Sequence, residues 1–224
     1  MKEIIENILN NSSFQKIGEF SFGDLYENKE EAINYYWLVI QTTELTEDLV
    51  NTLQDEYFGE CKKIVDSPSF NKNTSMLILY EADASDLKKG LVQIVEENPY
   101  QFKKYVLPYS IDVSNELREK LNGEFSVNLK KMISDNSIFQ EYKTNYDQYN
   151  WRHLMYTIAH KLPFLELQIG ENQNIHNMDV MSEELIEQDN LKNYYEKLRS
   201  FFDTDEFKNI NELEFEDLLN KINE

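Results

Sequence analysis

The segment Glu60-Cys61-Lys62 comes closest to a catalytic pattern. An E-x-K motif with an upstream aspartate, here Asp48 or Asp55, holds a divalent metal in nucleases of the restriction-endonuclease class, where the lysine assists the attacking water. In that class the motif lies on a strand, which points the glutamate and the lysine to the same side. Here the apolar spacing predicts a helix, on which residues i and i+2 diverge by about 200°. A metal-dependent nuclease is therefore the least favoured of the functions weighed.

The histidines and the single cysteine give no stronger pattern. His153 and His160 lie seven residues apart on one predicted helix, about 10 Å along its axis, which is too far to share a metal ion. Both lie opposite the apolar stripe of that helix, which predicts surface positions. Cys61 falls on an apolar stripe with no histidine near it in sequence, as a small core residue would. The six glycines are scattered and cannot form a phosphate-binding loop. No catalytic, metal-binding or cofactor-binding residue is predicted, and we expect no enzyme.

The composition limits the class of protein. The 224 residues include 42 acids and 22 bases, a formal net charge of −20. One cysteine excludes an intramolecular disulfide and suits a reducing compartment, so we expect a cytoplasmic protein. Hydrophobic residues make up 41% of the chain, enough for a substantial core. No run of about 18 apolar residues and no signal peptide is present, so no membrane association is expected.

The acidic charge also limits the partners. It opposes binding to DNA, RNA or anionic membranes, because affinity for phosphate comes from clustered lysine and arginine. The bias is sharpest from Asp179 to Glu224, with 14 acids and 5 bases. That stretch is either a solvated helical surface or an acidic docking face for a basic partner. An acidic DNA mimic or inhibitor is an alternative function, but aromatic residues and lysine pairs interrupt the rows of carboxylates that a mimic needs.

The first half of the chain predicts a small mixed sheet with helices. Residues 2–10 have the spacing of an amphipathic helix, and residues 14–30 that of a hairpin. Tyr35 to Thr42 and Thr74 to Tyr80 are aromatic, β-branched and apolar, which predicts buried central strands. A helix capped by Thr46 lies between them, and a helix capped by Asp83 or Ser85 follows and ends at Asn98-Pro99. The two strands are expected to be parallel if they are neighbours.

The second half predicts helices alone. They begin at Ser114, at Phe125, at Trp151 and at Ser182, and a last apolar stretch runs from Leu213 to Ile222. The clearest is Trp151 to Leu162, whose apolar residues recur at helical spacing and which Pro163 ends. The predicted fold is therefore α+β, with a sheet domain over residues 1–112 and a helical domain over residues 113–224 packed against it.

One segment, Asn98 to Ser110, interleaves aromatic and basic residues and contains no acid. Its candidate site residues are Tyr100, Phe102, Lys103, Lys104, Tyr105 and Tyr109, between Pro99 and Pro108. Three interpretations are open. The aromatic rings could seal the sheet against the helices, they could form a hot spot for a protein partner, or they could stack on bases while the lysines contact phosphate. The charge of the whole chain opposes the third.

The same segment carries a resemblance. The run E-N-P-Y-x-F-K-K-Y-V-L-P-Y, from Glu97 to Tyr109, together with YYWLVIQT and SMLILYE before it, resembles the middle component of bacterial ABC-three-component conflict systems. That group includes Lamassu-type antiphage defence. The resemblance covers roughly residues 14–112. It implies a non-enzymatic subunit of a hetero-oligomer that also holds an SMC-like coiled-coil ATPase and an effector, often a nuclease. It supplies no catalytic residue.

Overall fold

The computed structural model describes residues 1–28, 34–65, 67–165, 186, 192 and 195–197. The chain forms two compact units, Met1–Gln168 and Ile169–Glu224. In the second unit, the few described residues have a helical backbone. These residues fall within the helix predicted from Ser182, whose start lies outside the described residues, as does the stretch from Leu213 to Ile222. The boundary predicted near residue 112 separates two kinds of secondary structure inside the first unit and stays a prediction.

The first unit is built on a five-stranded sheet. Its strands are β1 (Phe14–Phe20), β2 (Gly23–Asn28), β3 (Tyr35–Thr42), β4 (Thr74–Glu81) and β5 (Lys103–Tyr109), which lie in the order β1-β2-β3-β4-β5. β1, β2 and β3 pair antiparallel, whereas β3, β4 and β5 pair parallel. This mixed sheet confirms the predicted hairpin, the parallel pairing of the two apolar strands and the α+β class.

Seven α-helices surround the sheet in the described part of this unit. They are α1 (Lys2–Asn11), α2 (Gln54–Ile64), α3 (Lys89–Glu97), α4 (Ile111–Leu121), α5 (Phe125–Ile133), α6 (Asn136–Thr144) and α7 (Trp151–Lys161). A π-helical turn, Leu49–Leu53, leads directly into α2. None of the described helices is long and apolar enough to cross a membrane.

Alternation along the strands divides the core into two layers. Tyr36, Leu38, Met76, Ile78 and Val106 pack with α2 and α3 on one face of the sheet. Trp37, Val39, Leu77, Leu79 and Leu107 pack with α1, α4, α5 and α7 on the other. Helices therefore cover both faces, which is why the centres of β3 and β4 are apolar at every position.

Three predicted helix starts are wrong, each by a few residues. No side chain caps the helix after β3, which begins after Thr46 through the π-helical turn. α3 begins at Lys89, after both Asp83 and Ser85. α4 begins at Ile111, and its N-cap is Ser110 rather than Ser114, since the Ser110 hydroxyl accepts from the Val113 amide. Several polar residues precede each helix, and pattern alone does not select the one that caps it.

Candidate interaction site on strand β5

The segment that stood out in the sequence forms the edge strand β5 and the loop before it. We call residues 98–102 the Tyr100 loop. Alternation along the strand sends consecutive side chains to opposite faces. Phe102 and Val106 join the core under α2 and α3, while Leu107 and Tyr109 join the core under α4 and α7. The interleaved pattern thus combines the two faces of one strand.

The six candidate residues differ in accessibility. Phe102, Lys104 and Tyr109 are buried, at 2%, 3% and 2% exposed. Tyr105 is half-buried and Lys103 is exposed. Tyr100 is 67% exposed, the largest fraction among the exposed large hydrophobic residues of the described chain. Core packing therefore accounts for Phe102 and Tyr109, while a partner-binding role stays a prediction, which Tyr100, Lys103 and Tyr105 can serve from the surface.

The buried side chain of Lys104 holds the Tyr100 loop in place through hydrogen bonds. Its ammonium group donates to the carbonyl oxygens of Asn98, Tyr100 and Phe102 at 3.1, 2.6 and 3.0 Å, and to Asn98 Oδ1 at 3.0 Å. Burial lowers the pKa of Lys104 to about 8, against an opposing effect of the charge on Asp55. One buried cation thus satisfies three loop carbonyls at once, and it holds the backbone on which Tyr100 stands.

The loop is also tied to its neighbouring helix. Gln101 Nε2 donates to Asp55 Oδ1 of α2 at 2.8 Å, and the Tyr100 backbone amide donates to Asn98 Oδ1 at 3.2 Å. Gln101 itself has a positive φ of 58°. These contacts make the loop a preorganised turn that displays the Tyr100 ring.

The outer edge of β5 is closed at two positions. Glu96 of α3 accepts from the Val106 amide at 2.7 Å, and Lys161 of α7 donates to the same carboxylate at 2.5 Å. Pro108, two residues further along that edge, has no amide hydrogen. An added strand could therefore not form a regular ladder here, so a partner at β5 has to be recognised through side chains.

Tyr109 joins the carboxyl ends of the parallel strands. Its hydroxyl accepts from Gln41 Nε2 of β3 at 2.8 Å and donates to Glu81 Oε2 of β4 at 3.2 Å. Burial, and then the charge on Glu81, raise the pKa of Tyr109 to about 12. Neutral Tyr109 therefore acts as a hydrogen-bonded link across the sheet.

The structure places the E-x-K motif on α2, as the spacing predicts. Glu60 forms an ion pair with Lys63 at 2.5 Å, and the Lys62 ammonium lies 5.7 Å from the Phe58 ring centroid. The described residues contain no group of three acidic, histidine or cysteine side chains that could hold a metal ion. Cys61 is a fully buried core residue, and burial raises the pKa of its thiol to about 12.

The two histidines of α7 have different environments. His160 is exposed, as predicted, whereas His153 is half-buried beside the rings of Tyr142 and Tyr149, at 6.4 and 5.4 Å. The predicted surface position is therefore only partly right for His153, whose side chain is half-buried. The cause lies in α6, which the sequence did not predict and which contributes Tyr142, and in the loop between α6 and α7, which contributes Tyr149.

The first unit is an α+β protein with a mixed sheet whose helices cover both faces. Residues 35–137 match the family model of the ABC-three component (ABC-3C) system Middle Component 1. No curated protein and no solved structure matches the chain.

The matched stretch is somewhat less than half of the chain, and it runs from the first residue of β3 to the beginning of α6. It contains the whole Tyr100 loop and β5. It starts later than the resemblance noted in the sequence, because the β1–β2 hairpin lies outside it, and it extends further, through α4 and α5. Residues 35–137 are therefore similar to the middle component of an ABC-three-component system, and the match does not specify the Lamassu group.

Proposed function

We propose that this protein is a non-enzymatic adaptor subunit of a bacterial, Lamassu-like antiphage defence complex. In that role it bridges an SMC-like coiled-coil ATPase and an effector, often a nuclease. The observation that carries the proposal is the family match over residues 35–137, since a middle component implies other subunits. The positions of Glu60 and Lys62, each engaged with a neighbour on one helix, support the absence of nuclease chemistry in this chain.

A surface inside the matched stretch suits the role of a docking site. Tyr100 is 67% exposed, and Ile94 of the adjoining helix α3 is 49% exposed. Large aromatic side chains are enriched at interface hot spots, where they supply contact area at low entropic cost. Because Lys104 and Gln101 already hold the Tyr100 loop in place, little ordering remains to be done on binding.

The test is affinity purification of the tagged full-length chain from its native host at moderate salt, with mass spectrometry of the co-eluting proteins. We expect a large coiled-coil ATPase and a third protein in stoichiometric amounts. Recovery of the chain alone, as a monomer, would contradict the adaptor role. Recovery of the ATPase without an effector would support a two-component assembly and contradict bridging.

The non-enzymatic part of the proposal has its own test. In the assembled complex, Glu60→Gln is expected to leave any nuclease activity within about twofold of the unchanged complex, because Glu60 is exposed on α2 and pairs only with Lys63 among the described residues. Loss of activity on this single change, with the complex still assembled, would assign the chemistry to this chain.

A further inference from the structure

A cavity of about 430 Å³ opens at the amino ends of the parallel strands. Its floor is formed by residues that pair across neighbouring strands. Asn28 of β2 pairs with Tyr35 of β3, and Trp37, Ser75 and Lys103 lie side by side on β3, β4 and β5. Ser75 is small where the next residues on the same face of β4, Leu77 and Leu79, fill the core. Pro163 and Phe164, directly after α7, line the cavity as well.

Aromatic rings dominate the cavity wall. Phe14, Tyr35, Trp37, Tyr105 and Phe164 all line it. The Trp37 and Tyr105 rings stack at 5.2 Å between centroids, and the Phe164 ring meets Trp37 edge-on at 5.1 Å. Tyr35 remains 48% exposed, so part of its side chain is accessible to a ligand.

The charge of the cavity is opposite to that of the chain. The twelve lining residues include Lys72 and Lys103 and no acid, although the chain has 42 acids. Both lysines are exposed, and neither forms an ion pair within the described residues. The Lys103 ammonium lies 5.2 Å from the Tyr105 ring centroid, so it is held beside an aromatic wall. A flat ring together with an anionic group is the chemistry that this lining complements.

A buried polar atom of Asn28 is a third feature of the cavity, after its aromatic rings and its lysines. Asn28 is only 7% exposed, and its amide nitrogen donates to the Ser12 carbonyl at 3.2 Å. Its Oδ1 is buried and has no hydrogen-bond partner among the described residues. A buried acceptor without a donor is unfavourable by about 1–3 kcal/mol. A ligand that supplies an N–H group would relieve that penalty.

We propose that this cavity binds a mononucleotide. The base stacks on the aromatic wall and presents an N–H donor to Asn28, and the phosphate is held by Lys72 and Lys103. The size agrees, because ligand cavities of this kind measure about 300–1,000 Å³. A ligand of a single nucleotide is favoured over a nucleic-acid strand, since the net charge of −20 on the chain opposes the binding of a longer polyanion. The inference is independent of the adaptor role.

The test is isothermal titration calorimetry of the full chain with AMP, CMP, GMP and UMP, and with adenosine and ribose 5-phosphate as fragments. We expect at least one nucleotide to bind with a Kd below about 1 mM, and each fragment to bind at least about tenfold more weakly. No saturation with any nucleotide would overturn the proposal. A twelve-residue oligothymidylate that binds more tightly than every mononucleotide would overturn it in favour of a strand.

Variants locate the binding. Lys103→Glu and Lys72→Glu should each weaken binding at least about tenfold, whereas Lys131→Glu, an exposed charge reversal on α5, should change it less than twofold. Ser75→Leu should abolish binding by filling the cavity, with a thermal melt to show that it folds. Equal affinities for Lys103→Glu and Lys131→Glu would place the nucleotide elsewhere and overturn the assignment.

Discussion

At the scale of single residues, two consecutive lysines have opposite roles. Lys104 is buried and donates to three loop carbonyls, whereas Lys103 is exposed on the other face of β5. Lys104→Met should lower the free energy of unfolding by about 1–3 kcal/mol, because it leaves buried carbonyls without a donor. Lys103→Met, the same change one residue earlier, should lower it by less than about 0.5 kcal/mol. Urea unfolding measures both, and equal effects would contradict the role assigned to Lys104.

A second residue-scale prediction concerns pH. Asp24 is buried in β2, with its Oδ2 at 2.7 Å from Lys2 Nζ and 3.2 Å from Lys16 Nζ. Burial alone would raise the pKa of Asp24, but the hydrogen bonds and charges of these lysines outweigh it and lower the pKa below the ordinary 3.8. The stabilisation of the folded state by these ion pairs is therefore fully present above about pH 4. It is lost as the pH falls through the lowered pKa of Asp24.

Asp24→Asn should consequently lower the free energy of unfolding most at neutral pH. The difference in this free energy between the variant and the unchanged chain should become smaller as the pH falls below about 4. The measurement is urea unfolding at a series of pH values from 7 to 3. Asp147→Asn is the control, since Asp147 is exposed. If the free energy of unfolding of Asp24→Asn differs from that of the unchanged chain by the same amount at every pH, the ion pairs do not contribute to stability.

At the scale of elements, two glycines have opposite requirements. A Cβ at Gly23, the first residue of β2, would lie 2.3 Å from the Val39 carbonyl oxygen, whereas a Cβ at Gly59 in α2 would meet nothing within 4 Å. Gly23→Ala should therefore destabilise the protein by more than about 2 kcal/mol, since the backbone of β3 must move. Gly59→Ala should stabilise it by about 0.5–1 kcal/mol through helix propensity. Thermal melts of the pair test the register of β2 on β3.

The elements also show what the sequence could predict. β3, β4 and α7 follow from apolar patterns alone, because both faces of the strands and one face of the helix are buried. β5 was not predicted as a strand, since Lys103, Lys104 and Pro108 interrupt its apolar residues. An edge strand tolerates all three, since Pro108 lies on the edge without a partner strand and the Lys104 ammonium donates to loop carbonyls that lie nearby only in the fold. α6 was missed because it buries no residue.

The candidate site could be predicted only in part, because β5 was not predicted as a strand. The sequence identified the segment from Tyr100 to Tyr109, but not which side chains reach the surface, because that depends on the alternation of a strand that was not predicted. The cavity lined by Tyr35, Trp37 and Lys103 could not be foreseen. It combines residues from three parallel strands that only the sheet register brings together.

At the scale of the whole molecule, stability and assembly should be separable within one segment. Phe102 is 2% exposed and packs edge-on against Phe58, so Phe102→Ala should destabilise the isolated chain by about 3–5 kcal/mol. Any loss of assembly in that variant would follow from unfolding. Tyr100→Ala removes an exposed ring and should leave the urea midpoint unchanged.

The most direct test of the account is to compare partner recovery for Tyr100→Ala and Tyr146→Ala. The two tyrosines are 67% and 66% exposed, but only Tyr100 lies inside the stretch that matches the family. In purifications from the native host at equal expression, Tyr100→Ala should lower recovery of the other subunits at least about tenfold, and Tyr146→Ala should leave it unchanged. Equal recovery with both variants would contradict the claim that the Tyr100 loop docks a partner.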